Sequence, residues 1–239
     1  MPIIDNKGDT MLSIFSLISK GQYFAAIVAV LARCFVVFCC LPIHELAHGW
    51  TAYKLGDNTA KLQGRLTLNP FAHLNPIGTI MIFLFGIGYA KPVSINANNF
   101  KNPKRDMAIT AVAGPVANVL LAVVSLWLGY LFAAIIPAST LRSVVVMFFY
   151  FSASVNISLA VFNILPIPPL DGSKVLAAVL PYKTYIKYMQ YERYIMIGLI
   201  ILLFTGVLNG AILILSNLLF KFIDIIPHLI FGYSLAEAI

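Results

Sequence analysis

From Gln22 to about Leu55 the chain is apolar with a single interruption, Arg33, and turns polar only in its last turns. A run of that length predicts one membrane-spanning helix. The segment "GDNTAKLQGRLTLNPFAHLNP" follows, where Gly, Asn and Pro break any helix. Ile77 to Gly88 is apolar again but too short to span comfortably, so it reads as a re-entrant or partly immersed segment. "YAKPVSI" then opens a polar, basic stretch that starts strand-like. Met107 to Ile136 predicts a long helix, "PASTLR" a short turn, and Ser143 to Leu165 a second long helix. "PIPPLDGSK" breaks the chain, Val175 to Tyr191 fits an amphipathic surface helix, and one or two further spans fit between Tyr194 and Ile230. The predicted architecture is an all-α, polytopic transmembrane helical bundle. It has about five to six membrane segments, one of them re-entrant, and a small β-hairpin or sheet near the cytoplasmic face.

Composition reinforces this picture. Of 239 residues, 60% are hydrophobic and only 10% charged, against about a quarter charged in soluble domains. The length fits a single integral membrane domain over 1–239, with a core of about 22–176 and C-terminal spans over about 191–232. The net charge of +7 comes from Lys and Arg at the ends of apolar runs rather than from a basic module. That distribution argues for contact with anionic lipid and against nucleic acid. Cys34, Cys39 and Cys40 share one predicted helix, which excludes a disulfide framework. Asp5 and Lys7 precede "MLSIFSLI" without a small-residue cleavage site after it, so the N-terminal stretch reads as retained.

The basic residues also orient the bundle. Lys54, Lys61, Arg65, Lys91, Lys101, Lys104 and Arg105 lie before the helix at Met107. Lys174, Lys183, Lys187 and Arg193 follow the helix ending at Leu165, whereas the turn between the two helices carries only Arg142. The two basic regions are therefore expected in the cytoplasm, in a multi-pass membrane protein. The C-terminal halves of the first helix and of the Ser143–Leu165 helix then meet near the cytoplasmic face.

The candidate chemistry lies at that level. "HELAH" places His44 and His48 four residues apart on one helix face, where both can offer an imidazole nitrogen to one ion. Glu45, about 100° round the helix, can reach a water on that ion and act as general base. Burying such groups at the end of an apolar span is costly, which argues against a chance match. Three protein ligands are usual in a catalytic zinc site. Asp5 and Asp9 lie near the terminus, Asp57 follows the helix too closely, Asp106 sits in a basic cluster and Asp224 in the last apolar run. Asp171 in "NILPIPPLDGSK" remains. Alone, "PPLDG" is ordinary turn chemistry; its place after a helix returning to the "HELAH" face makes it a ligand candidate.

The pieces "HELAHGW", "GRLTLNPFAHLNPIGT", "AGPVANVLLA" and "FNILPIPPLDGSKVL", spanning Ile43 to Leu176, resemble the site-2 protease family of intramembrane zinc metalloproteases. The likeness is nearest to small bacterial members without PDZ or CBS domains. The resemblance implies one Zn2+ per chain on His44, His48 and Asp171, with Glu45 as catalytic base and a core of three helices. It also implies cleavage of transmembrane or membrane-proximal segments, so the expected partner is a membrane-protein substrate with a transmembrane helix. Control would then rest on substrate presentation or on homo-oligomerisation.

Four further features are candidates. Asn163 is placed to stabilise an oxyanion or to hold the metal loop, and Asn118 to support the site or glue helices. His73 reads as a structural hydrogen-bonder, and Cys39 and Cys40 as packing residues. Ala90, Lys91, Pro92, Val93, Ser94 and Ile95 are expected to form an edge strand that pairs with an unwound substrate. A metal transporter or silent scaffold using the same histidines is the alternative, and a hydrolase of lipids or prenylated substrates a narrower one. Polar residues concentrated at one level, rather than along several spans, argue against transport.

Overall fold

The computed structural model describes residues 14–85 and 87–239. The N-terminal stretch read as retained, with Asp5 and Asp9, lies outside them. Among the described residues, nine helices of six residues or more carry the architecture: α1 (Ile14–Ser19), α2 (Tyr23–Lys54), α3 (Pro76–Phe85), α4 (Pro103–Ile135), α5 (Thr140–Asn163), α6 (Asp171–Val179), α7 (Tyr182–Gln190), α8 (Glu192–Phe204) and α9 (Val207–Phe231). Of these, α2, α4, α5 and α9 are long and apolar enough to cross a membrane. That is fewer than the expected five to six segments. α3 (10 residues) and α8 (13 residues) rise only about 15 and 20 Å, short of a core about 30 Å thick.

α4 is the hub, packing against α2, α5 and α6. The main core gathers around Leu126, Tyr130 and Ala122 of α4 with Ile157, Phe162 and Ala153 of α5. The outer faces remain apolar: Leu120, Val124 and Ile135 of α4 and Leu218, Phe222 and Leu229 of α9 are all exposed. Only 33% of the α4 span and 17% of the α9 span are buried inside the protein. Surfaces of that composition require lipid as solvent. The protein is a multi-pass membrane protein.

Two helices carry deviations with a local cause. Pro42 cannot donate to the carbonyl four residues back, and its ring crowds that carbonyl. α2 answers with a π turn over Val36–Cys40, closed by the Leu41 N–H on the Val36 carbonyl, one turn before His44. Arg33, also on α2 and fully buried, donates through Nη1 to the Phe83 carbonyl near the end of α3. α3 in turn leads into a hairpin-like return, because Gly78 at its start lies directly against the backbone of Gly88 and Tyr89. The two ends of this apolar segment thus pack against each other.

The expected β-hairpin is absent: no strand occurs among the described residues, and Ala90–Ile95 is irregular, without a ladder. The physical reason is that side chains take its polar groups. The Arg65 guanidinium donates to the carbonyls of Ala72, Lys91 and Pro92, and Asp57 accepts from the Asn96 N–H. The Lys91 N–H goes to the His73 carbonyl. The single surface helix expected over Val175–Tyr191 is two, α6 and α7, broken at Leu180–Pro181 because Pro181 disfavours helical backbone in the residue before it. α4 and α5 start earlier than expected, at Pro103, a residue suited to a first helical position, and at Thr140 behind the Ser139 cap.

Candidate metal centre and active site

α2 presents His44 and His48 inward, each 3% exposed, and α6 begins at Asp171, 8% exposed. Three ligand atoms converge. Asp171 Oδ2 lies 3.2 Å from His44 Nε2 and 3.0 Å from His48 Nε2, and the two ring nitrogens are 3.1 Å apart. The other nitrogen of His48, Nδ1, lies 2.7 Å from the Thr110 carbonyl of α4. A carbonyl only accepts, so Nδ1 carries a proton, and in the neutral ring that leaves the Nε2 lone pair for a cation.

Such a cluster suits a divalent cation. Lone pairs this close repel unless positive charge sits among them. Zinc–nitrogen bonds of about 2.0–2.1 Å in a tetrahedron put ligand atoms about 3.3 Å apart, near the observed spacing. Two imidazoles and one carboxylate are also the donor set that zinc takes in hydrolases. The residues present fit zinc.

Gly114 of α4 is what lets the helices close around this cluster. A Cβ there would lie 2.2 Å from His48 Nε2 and 2.6 Å from His44 Nε2, inside any tolerable contact. Gly172 does the same for the loop-borne ligand: a Cβ would meet the Ile164 carbonyl oxygen at 2.1 Å, so only glycine lets the chain tuck Asp171 inward. The Pro168–Pro169 peptide bond in this loop is cis. Burial opposes ionisation of Asp171, yet His48, His44 and Lys174 outweigh it and hold its carboxyl well below the usual carboxylate range. The same neighbourhood raises Lys174, whose burial penalty is exceeded by the attraction of Asp171 and, less strongly, Glu45.

Glu45 is buried beside the cluster, and its Oε2 accepts the Val93 N–H at 3.1 Å. The segment around Val93 therefore reaches the candidate base through its backbone. His73 makes the structural bond expected of it, Nε2 to the Thr67 carbonyl at 2.9 Å. Cys40 is buried and accepts from the Asn156 amide, whereas Cys39 is exposed. Asn118 is fully buried with neither amide atom bonded, and Asn163 is buried at the last turn of α5. No hydrogen bond joins either amide to the cluster among the described residues.

Sequence reasoning missed the supporting groups: Lys174, the Thr110 carbonyl, the Val93 N–H and Arg65. Of these only Lys174, three residues after Asp171 and so on its helix face, left a signal in the order of residues.

A family model described as Peptidase family M50 matches residues 32–137 and 132–205, most of the chain and all of the cluster. The chain belongs to peptidase family M50. Among its relatives, YwhC of Bacillus subtilis, named as a zinc metalloprotease, is 41% identical over 165 residues, covering 68% of this chain and 75% of that protein. Rip2 of Mycolicibacterium smegmatis, similarly named, is 29% identical over 87% of this chain and 79% of its own. MJ0611 of Methanocaldococcus jannaschii, again so named, is 33% identical over 62% of this chain and 74% of its own. No solved structure matches. As an M50 member with four candidate membrane spans, the chain is an intramembrane zinc metalloprotease, the enzyme expected from "HELAH".

Proposed function

We propose that this M50 peptidase cuts transmembrane or membrane-proximal segments of other membrane proteins, using His44, His48 and Asp171 as zinc ligands and Glu45 as general base. The observation that carries the reading is the convergence of His44 Nε2, His48 Nε2 and Asp171 Oδ2 at 3.0–3.2 Å across 123 residues of chain. When bound, zinc supplies a Lewis acid and an activated water at neutral pH. Glu45 takes the proton of the attacking water at one carboxylate oxygen and returns it to the leaving amine nitrogen. The Val93 N–H holds Glu45 Oε2, fixing which oxygen remains to move the proton.

The Ala90–Ile95 segment lies beside the base through the Val93 N–H and lines the path of an unwound substrate. Lys91, Pro92 and Val93 are already held by the fold. Asn163 serves the oxyanion or the metal loop, and Asn118 supports the helix interface. The basic residues at the ends of the spans support a site near the cytoplasmic face of a bacterial inner membrane. Residues 1–239 act as one domain, with a core over about 22–176, and any control through homo-oligomerisation lies outside this site.

The decisive experiment is Glu45→Gln in the full chain co-expressed with candidate membrane substrates. Zinc content should stay at the wild-type level while cleavage falls by about 10²–10⁴, the usual contribution of a general base. Cleavage at the wild-type rate with zinc retained would remove Glu45 as the base.

A further inference from the structure

The two oxygens of Asp171 have different partners. Oδ2 faces both histidine nitrogens at 3.2 and 3.0 Å, while Oδ1 accepts from Lys174 Nζ at 3.1 Å. Lys174 sits one turn along α6, so the contact is set by the helix itself. Its side chain is 26% exposed, and a partly buried ammonium beside an apolar bundle is costly unless it answers negative charge. The charge it answers is the Asp171 carboxylate, in contact with it.

From this geometry, and resting on the reading of His44, His48 and Asp171 as zinc ligands, we propose that Lys174 is a positioning residue that holds Asp171 as a one-oxygen ligand. A free carboxylate turns readily between binding a metal through one oxygen and through two. With Oδ1 committed to an ammonium, two-oxygen binding would first break a charge-assisted hydrogen bond. Lys174 thereby keeps a coordination position open for water and for the scissile carbonyl, which a catalytic zinc site needs.

The test uses the purified full chain in lipid nanodiscs, loaded with Zn2+ or with Co2+, whose visible absorption is intense in four-coordinate sites and weak in five-coordinate ones. Lys174→Met and Lys174→Gln should each bind zinc about 10–100-fold more weakly in chelator competition, the usual effect of losing such a partner. Both should shift the cobalt spectrum toward five-coordination. Lys174→Arg, which restores a cationic donor, should recover affinity and spectrum. Wild-type affinity and spectrum in either folded neutral variant would overturn the proposal. Asp171→Ala separates the two levels of inference. Loss of metal there supports the ligand set on which the proposal rests, and a wild-type cobalt spectrum there overturns that ligand set itself.

Discussion

The metal centre is assembled from two unlike halves. His44, Glu45 and His48 stand on one continuous helix, where spacing alone fixes which side chains share a face. Asp171 stands at the junction of an irregular, proline-rich loop and the first turn of α6. The helical half needs little beyond its own backbone, with a π turn at Pro42 as the one adjustment. The loop half depends on its surroundings: Gly172 to let it tuck, Lys174 to hold one oxygen, and two histidines to hold the other. A ligand set can thus combine one local element with one element that exists only in the assembled bundle.

Substitutions that press on each half separately test this contrast. The largest effect is expected for Gly114→Ala, which pushes a methyl group into both histidine rings at once. Zinc binding should be lost and cleavage fall by at least about a hundredfold, as misplacement of reacting groups by about an ångström does. Far-ultraviolet circular dichroism should remain that of the wild type, because alanine favours helix. Near wild-type zinc content would show that the helical half adapts more freely than its geometry implies.

Gly172→Ala acts on the loop half alone. It should weaken zinc binding about 10–100-fold while leaving the two histidines in place, so excess zinc restores part of the activity. Full rescue by zinc in Gly114→Ala and none in Gly172→Ala would reverse the comparison.

The smallest effect is expected at Asp57, which ties the polar loops together away from the metal. Its carboxylate accepts from Thr59, Asn96 and Asn99, and these bonds outweigh its burial and lower its pKa. A depressed carboxyl stabilises the fold above its unfolded value, about 3.9, and that contribution fades as pH falls toward the folded value. Asp57→Asn should therefore lower the melting temperature at pH 7 by about 3 °C, the size of about 1 kcal/mol in a chain of this length. The difference from wild type should shrink below about pH 4. A gap that persists unchanged on acidification would show that Asp57 acts through packing instead.

Much of the helical half was legible from order alone. Continuous apolar runs marked α2, α4 and α5, and "HELAH" gave two candidate ligands and a candidate base because helical periodicity turns spacing into shared direction. Asp171 was reachable from the scarcity of acidic residues, with Gly172 following it, though nothing in "PPLDG" shows which carboxylate oxygen faces inward. The strand expected at Ala90–Ile95 failed because β-propensity says nothing about a partner. Arg65, Asp57 and Glu45 had already claimed the backbone groups that a ladder would use. Likewise, Val175–Tyr191 looked continuous in hydropathy, and its Pro181 break settled the matter locally.

What the sequence determined by itself is the solvent and the chemistry. Apolar runs near or above 20 residues leave lipid as the only medium, and two histidines four apart beside a glutamate leave little but metal-assisted hydrolysis. Tertiary structure alone decided how the site is closed. Gly114 admits the rings, the Thr110 carbonyl sets the His48 tautomer, Val93 holds the base, and Lys174 divides the oxygens of Asp171. Those choices depend on distances between segments far apart in the chain, which packing fixes to within an ångström and which no local pattern of residue types encodes.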